Sequence, residues 1–253
     1  MEVRGSGFLA ANLAPLADSH PAVVAAAFGV SIAAGIPEAD FAREADRLYE
    51  LISHCVQRQE KLVFFSTASA AMYAVPGKAG EEDGPVFPST AYGRHNLALE
   101  AVLAASPVDY LVLRLTHVVG PAQHAQMLVP SLVRQVRSGA VRLYRGARRD
   151  LIDVADLVTV VDRLLTAGVR RTVVNVASGR AVPIEALVDH VEAELGVRAD
   201  REYVSDVAHQ PVSVARLHRL VPEIARIGRE DYYRRVLSKY LWEYAGDKTA
   251  VTG

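Results

Sequence analysis

Four short runs, AVVAAAFGV (22–30), KLVFFST (61–67), YLVLRL (110–115) and VVNVAS (173–178), place apolar residues at consecutive positions, and helical stretches separate them. A strand that is apolar on both sides has to be covered on both sides, which is the situation of a parallel sheet between two helical layers. The separating stretches fit that layout. Phe41, Ala45, Leu48, Leu51 and Ile52 form one stripe of a helix expected over 38–57. Residues 2–4 read as the end of a short strand, FLAANLAPLAD as a helix, and a Gly, Pro and acid-rich loop over 74–90 leads into a helix that opens near Tyr92. Residues 121–150 and 181–245 hold amphipathic helices and short strands without a clear place in this sheet. They read as a smaller lobe over the C-terminal edge of the strands, where open α/β sheets bind ligands. The core is expected over 1–120 and 151–180, and residues 246–253 as a disordered tail.

Composition excludes several classes of function. With 253 residues, 51% hydrophobic, 23% charged and a formal net charge of -1, the chain has no basic excess for nucleic acid or an anionic membrane. The apolar stretch PAVVAAAFGVSIAAGI follows Asp18, Ser19 and His20 rather than a basic segment, and it falls short of the roughly 18 residues of a membrane span. The expected location is cytoplasmic. Cys55 is the single cysteine and reads as a packing residue, and the eight histidines show no metal-ligand spacing, so no metal is expected. Lysine is scarce: Lys61, Lys78, Lys239 and Lys248 are the only four.

RGSGFLA contains Gly5-Ser6-Gly7-Phe8-Leu9-Ala10, a GxGxxA pattern between a strand remnant and a helix. Glycines there allow a tight turn and the close approach of a diphosphate, and a small third residue lets helix and strand pack. A plain tight turn accounts for the pattern as well. A dinucleotide fold then expects a second strand that ends in a ribose-reading residue about 20 positions on. Only about ten residues separate FLAANL from the strand at Ala22, so that reader is not visible.

From Val23 onward the order of motifs resembles the extended short-chain dehydrogenase/reductases, the group of nucleotide-sugar epimerases, dehydratases and ketoreductases. AVVAAAFGVS is similar to their strand ending in paired alanines beside the cofactor, VFFSTASAAMYA to the Ser/Thr-rich strand end, and FPSTAYGRHN to the tyrosine and lysine signature. LRLTHVVGPAQ, RRDLIDVADLV and VNVASGRAVPIEALVDHV follow in the family's order, and the matches cover residues 1 to 195. The resemblance implies a Rossmann-like α/β fold, truncated in its N-terminal nucleotide half, with a small C-terminal substrate lobe. It also implies a nicotinamide cofactor, NAD(P)H, whose preference the missing strand leaves unread.

Carried over by position, Tyr92 is the acid/base residue. Its partner hydroxyl is Ser69 or Thr67, since this segment is one residue longer than the usual form. Gly5, Gly7, Ala10 and Ala26 fall on cofactor-binding positions, and Thr116, His117 and Arg149 on substrate positions, with Arg149 aligned to an arginine that contacts a substrate diphosphate. Each has a plainer alternative. Tyr92 could pack on Pro88, Ser69 or Thr67 could satisfy backbone groups, His117 could be an ordinary loop histidine, and Arg149 could pair with Asp150 or Asp153.

In the family a lysine four residues after the tyrosine holds the nicotinamide ribose and lowers the tyrosine pKa. Here that position is Asn96, which can still exchange hydrogen bonds with a ribose hydroxyl but brings no charge. The expectation is that Tyr92 stays nearer its reference pKa of about 10, unless His95 supplies charge, since Arg94 at a two-residue offset faces away on a helix. Alcohol oxidation needs the phenolate as base, whereas ketone reduction needs the neutral phenol as acid. The sequence therefore points to an NAD(P)H-dependent ketoreductase acting on a nucleotide-linked keto-deoxysugar or a related natural-product ketone in bacterial secondary metabolism, such as antibiotic biosynthesis. The alternative is a pseudo-enzyme or non-redox enzyme that binds a small molecule without hydride transfer. The expected partner is a small-molecule substrate, and a homodimer through helices near 38–57 and 92–105 is the family's prior.

Overall fold

The structure, a computed structural model, describes residues 1–29, 36–69, 72–73, 75, 77–206 and 211–246. Chain order begins with β1 (Glu2–Arg4), α1 (Phe8–Leu13), β2 (Val23–Ala26), α2 (Glu38–Arg58), β3 (Lys61–Thr67), α3 (Ala91–Ala105) and β4 (Asp109–Leu115). It continues through β5 (His117–Val119), α4 (Leu128–Arg137), β6 (Ala140–Arg145), β7 (Arg148–Arg149), β8 (Leu151–Asp153), α5 (Val154–Thr166) and β9 (Thr172–Val176). Last come β10 (Val182–Pro183), α6 (Ile184–Leu195), β11 (Asp200–Asp206), α7 (Ala215–Leu220) and α8 (Tyr232–Ala245). The strand expected over 22–30 is shorter than that reading, and its last residue Val30 lies outside the described residues, as does the expected tail from residue 247.

The central sheet has the order β1-β2-β3-β4-β9, and every pairing in it is parallel. Alternate residues face opposite layers. Val24, Ala26, Leu62, Phe64 and Val112 pack with Leu48, Leu51, Ile52 and Cys55 of α2 and Leu99 and Leu103 of α3. Ala25, Val63, Leu111 and Leu113 pack with Ala10 and Leu13 of α1 and with Leu157, Val161 and Leu164 of α5. This is the two-sided burial that the apolar runs called for. Cys55 is part of it, and burial pushes its thiol up to about 11.

The start of the sheet is unusual in its hand. Helix α1 lies on one face and α2 and α3 on the other, yet all three carry the chain one strand further in the same direction. The β1–α1–β2 step is therefore opposite in hand to the two that follow, so at least one of these crossovers has the hand found in about 2% of such units. Only α1 and a single 3-10 turn over Ala14–Leu16 join the two strands. Among the described residues no strand lies beyond β1, where the second strand of a dinucleotide fold would sit.

Outside this sheet, β5 pairs with β8 and β6 with β11, both parallel, while β7 pairs antiparallel with β10. Helices α4, α6 and α8 pack together around Val133, Val188 and Leu237. Asp153 ties them to the core: its carboxylate caps α5 at Ala155, pairs with Lys239 at 2.7 Å and accepts from the Tyr240 hydroxyl at 2.7 Å.

Candidate active site

Strand carbonyl ends and helix starts converge on a cavity of about 520 Å³. Its wall includes Gly5, Ser6 and Gly7 after β1, Ala27, Phe28 and Gly29 after β2, Thr67 and Ser69 at the end of β3, and Thr116 and His117 after β4. Tyr92 from α3 and Glu44 and Arg47 from α2 close one side, and Gln123 and Met127 close another. The structure thus brings Gly5, Gly7, Thr67, Ser69, Tyr92, Thr116 and His117 to one place, although they come from separate parts of the chain.

The glycine turn divides in two. Gly5 has φ +145°, and a Cβ there would collide with the Ala27 carbonyl oxygen, so this glycine is required by the close packing of β1 on β2. Gly7, the N-cap of α1, has nothing within 4 Å of where a Cβ would stand, so the space beside it is open to a ligand. Ala10 is buried in the core, and Ala26, expected to touch the cofactor, packs beneath the sheet, while the next residue, Ala27, lines the cavity.

Thr67 and Ser69 both reach the cavity wall. Their hydroxyls are 2.9 Å apart, and the Ser69 amide donates to Thr67 Oγ1 at 3.0 Å, so the turn holds both together at the cavity wall. Tyr92 is placed by the start of α3, where the Thr90 side chain caps the helix by accepting from the Gly93 amide at 3.0 Å. The phenol is pushed up to about 12 by burial first and by the Glu44 carboxylate second, with a hydrogen bond from Asn96 as the smaller opposing cause. This corrects the expectation that Tyr92 stays nearer its reference value. Loss of the lysine is only part of the change, because an acid stands in the wall beside the phenol.

Asn96 shares the Tyr92 face but turns inward. It is 1% exposed, its amide donates to the Tyr92 carbonyl at 3.0 Å, and it does not line the cavity. His95 lies 3.3 Å from Glu44, and Arg94 is directed at the Ser89 carbonyl, so neither places an unshared cation on Tyr92. Among the described lysines, Lys61 holds the Val169 carbonyl, Lys239 holds Asp153, and Lys78 is exposed.

After β4, Thr116 leans on Asp150 at 3.4 Å, and burial, with Arg149 beside it, takes His117 down to about 3. His117 is therefore neutral near pH 7. Arg149 is half-buried and donates to the Arg148 carbonyl at 2.9 Å. It makes no ion pair among the described residues: Asp150 accepts from the Ser178 amide, and Asp153 is occupied by Lys239. The surface ion pair suggested as its plainer role is not formed. Burial lowers its pKa. Arg149 does not itself line the 520 Å³ cavity.

Sequence reasoning missed Glu44, Arg47, Gln123 and Met127. A signal for Glu44 was present: it lies three positions from Phe41 and four from Leu48, so it sits on the apolar stripe of α2, where a carboxylate is out of place.

The model of the NAD dependent epimerase/dehydratase family matches residues 12–177. No curated protein matches the chain. Among solved structures, RMD from Pseudomonas aeruginosa complexed with NADPH superposes with a TM-score of 0.79 at 20% identity, covering 96% of this chain and 98% of that one. The UDP-glucose 4-epimerase of Thermus thermophilus in complex with NAD gives 0.70 at 22% identity, over 84% and 75%. The dTDP-glucose 4,6-dehydratase of Bacillus anthracis in complex with NAD gives 0.71 at 18% identity, over 89% and 73%. At these identities the likeness is one of fold, and it is the Rossmann-like fold anticipated from the motifs.

Proposed function

Because the chain belongs to the NAD dependent epimerase/dehydratase family, we propose that it is an NAD(P)H-dependent ketoreductase whose substrate is a nucleotide-linked keto-deoxysugar or a related natural-product ketone. The observation that carries this reading is the setting of Tyr92, a phenol that shares its cavity wall with the Glu44 carboxylate while its helix neighbours His95 and Arg94 are turned to other groups. A phenol pushed up to about 12 is fully protonated at pH 7 and is ready to give a proton, but scarcely ever ready to take one. Epimerisation and dehydration that begin with alcohol oxidation need the opposite form.

The open space beside Gly7 and the strand-end wall fit the diphosphate and nicotinamide parts of the cofactor, which when bound supplies the hydride. The chain's own residues do the rest. Tyr92 donates its phenolic proton to the carbonyl oxygen as that oxygen gains negative charge. The hydroxyls of Thr67 and Ser69, already joined to each other, offer a donor to the same oxygen and fix its direction. His117, neutral, adds a hydrogen-bonding edge without a competing charge. Arg149 supports an anionic substrate, since it is half-buried and has no acidic partner among the described residues. Natural-product metabolism and a bacterial setting belong to the same proposal and rest on the arginine-rich, lysine-poor composition.

One observation favours a second reading, a non-redox or binding-only member of the family: among the described residues no strand beyond β1 is available to read the adenosine ribose. Thermal melting separates the two. A cofactor at 100 times its Kd adds about 2.7 kcal/mol of stability, so NADH or NADPH at millimolar concentration is expected to raise the melting temperature, and no shift with either would reject the ketoreductase. Arg149→Ala is expected to weaken binding of a nucleoside-diphosphate substrate by about 1.5–3 kcal/mol and to leave cofactor affinity unchanged. An unaltered KM in that variant would mean an uncharged ketone substrate.

A further inference from the structure

Glu44 is buried with His95 as its one charged neighbour among the described residues. It is 6% exposed on the inner side of α2, and its Oε2 stands 3.3 Å from His95 Nε2. Neither atom completes a hydrogen bond among the described residues. Phe41 covers the His95 ring with centroids 4.5 Å apart, which keeps the pair dry. On the other side a Cβ at Gly29 would stand 2.5 Å from Glu44 Oε1, so the backbone makes room for this carboxylate where the cavity wall begins. A carboxylate offers about four acceptor sites, and leaving such sites empty in a buried position is costly. Oε2 is closed off against His95, and the oxygen left beside Gly29 at the cavity wall is Oε1, for which the described residues supply no hydrogen-bond donor.

We propose that Glu44 is a cofactor-binding residue, its Oε1 accepting from the hydroxyls of a ribose cis-diol. The inference rests on the cofactor reading above and adds a residue to it. A cis-diol presents two adjacent O–H donors and no charge, which suits a group that only accepts; a phosphate in the same place would be repelled. Dinucleotide folds commonly give this task to an acid at the end of the second strand, and among the described residues no such strand lies beyond β1. Asn96, the other candidate, turns to the carbonyl and the phenol of Tyr92 and does not line the cavity. Helix α2 thus brings into the site the acceptor that the sheet and α3 do not provide.

The cofactor carries two such diols, one on each ribose, and NADPH has a phosphate on the adenosine one. Fluorescence titration of NADH, NADPH and reduced nicotinamide mononucleotide against the native protein, Glu44→Ala and Glu44→Gln distinguishes them. Glu44→Ala is expected to raise the Kd for NADH about 10- to 150-fold, and Glu44→Gln, which keeps one acceptor oxygen, to raise it less. An equal loss for all three ligands assigns the nicotinamide ribose. A loss for NADH accompanied by a gain for NADPH assigns the adenosine ribose. Both variants should melt no lower than the native protein, because each removes a buried carboxylate with unfilled acceptor sites; if Glu44→Ala alone melts lower, Glu44→Gln carries the comparison. Native-like affinity in folded variants overturns the proposal while leaving the ketoreductase standing, whereas a native protein that binds neither cofactor removes both.

Discussion

Tyr92→Phe is expected to lower the rate of ketone reduction by about 100- to 10,000-fold, the range a positioned general acid contributes. The ring stays in the wall and the hydroxyl alone goes, so the fold and the cavity are kept. The loss should fall on kcat, with KM for the ketone changing far less, because the proton is needed only as charge develops on oxygen. A stopped assay of nicotinamide oxidation, with the variant's melting curve as a control on folding, reads this directly. Loss of less than about tenfold would mean that another group, such as the Thr67 and Ser69 pair, delivers the proton.

The second large effect lies beneath the site. Arg114 on the central strand β4 is 3% exposed, and Glu100 on α3 is 5% exposed. They meet through Nη2 and Oε2 at 2.6 Å and through Nε and Oε1 at 3.0 Å. Ser66 donates to the same Glu100 at 2.5 Å, and Arg114 Nη1 donates to the Tyr73 hydroxyl at 2.8 Å, which in turn donates to Asn175 at 2.6 Å. This network joins β3, β4, α3 and β9 just below the cavity floor. Glu100→Leu leaves the guanidinium buried without its counter-charge and is expected to cost about 3–5 kcal/mol. Replacing both partners, Glu100→Leu with Arg114→Met, removes the stranded charge and should recover most of that loss. Urea unfolding with a shared m-value is the measurement; a cost below about 1 kcal/mol for the single variant would mean that water reaches the pair.

Much of the architecture was open to sequence reasoning because apolar runs and helical stripes report burial directly. KLVFFST became β3 with the predicted limits, and the helix opening at Tyr92 follows from Thr90 as its cap. The site was legible wherever a residue sits at a strand end or a helix start, as Thr67, Ser69, Tyr92 and His117 do. It was less legible where orientation decides. Ala26 and Ala27 are neighbours at the end of β2, yet the pleat sends one to the core and the other to the cavity. Asn96 has the right spacing from Tyr92, but a hydrogen bond back to the helix holds it inward. Glu44 comes from a helix joined to the site only through packing. Its effect on the phenol, opposite in sign to that of a lysine, depends on a distance that spacing along the chain does not encode.

The account depends on a phenol that remains protonated while a ketone is reduced. Its most direct test is a single-turnover experiment with NADH or NADPH and a nucleoside-diphosphate-linked 4-keto sugar, repeated from about pH 6 to pH 10, a range that ends at the reference pKa of tyrosine. With Tyr92 pushed up to about 12, the acid form persists across the whole range. The account predicts that reduced cofactor is consumed in step with the ketone, and that the proton-transfer step does not slow as pH rises through neutrality and on to the alkaline end. A protein that consumes no cofactor, or one whose rate falls with an apparent pKa near or below neutrality that Tyr92→Phe abolishes, would contradict it.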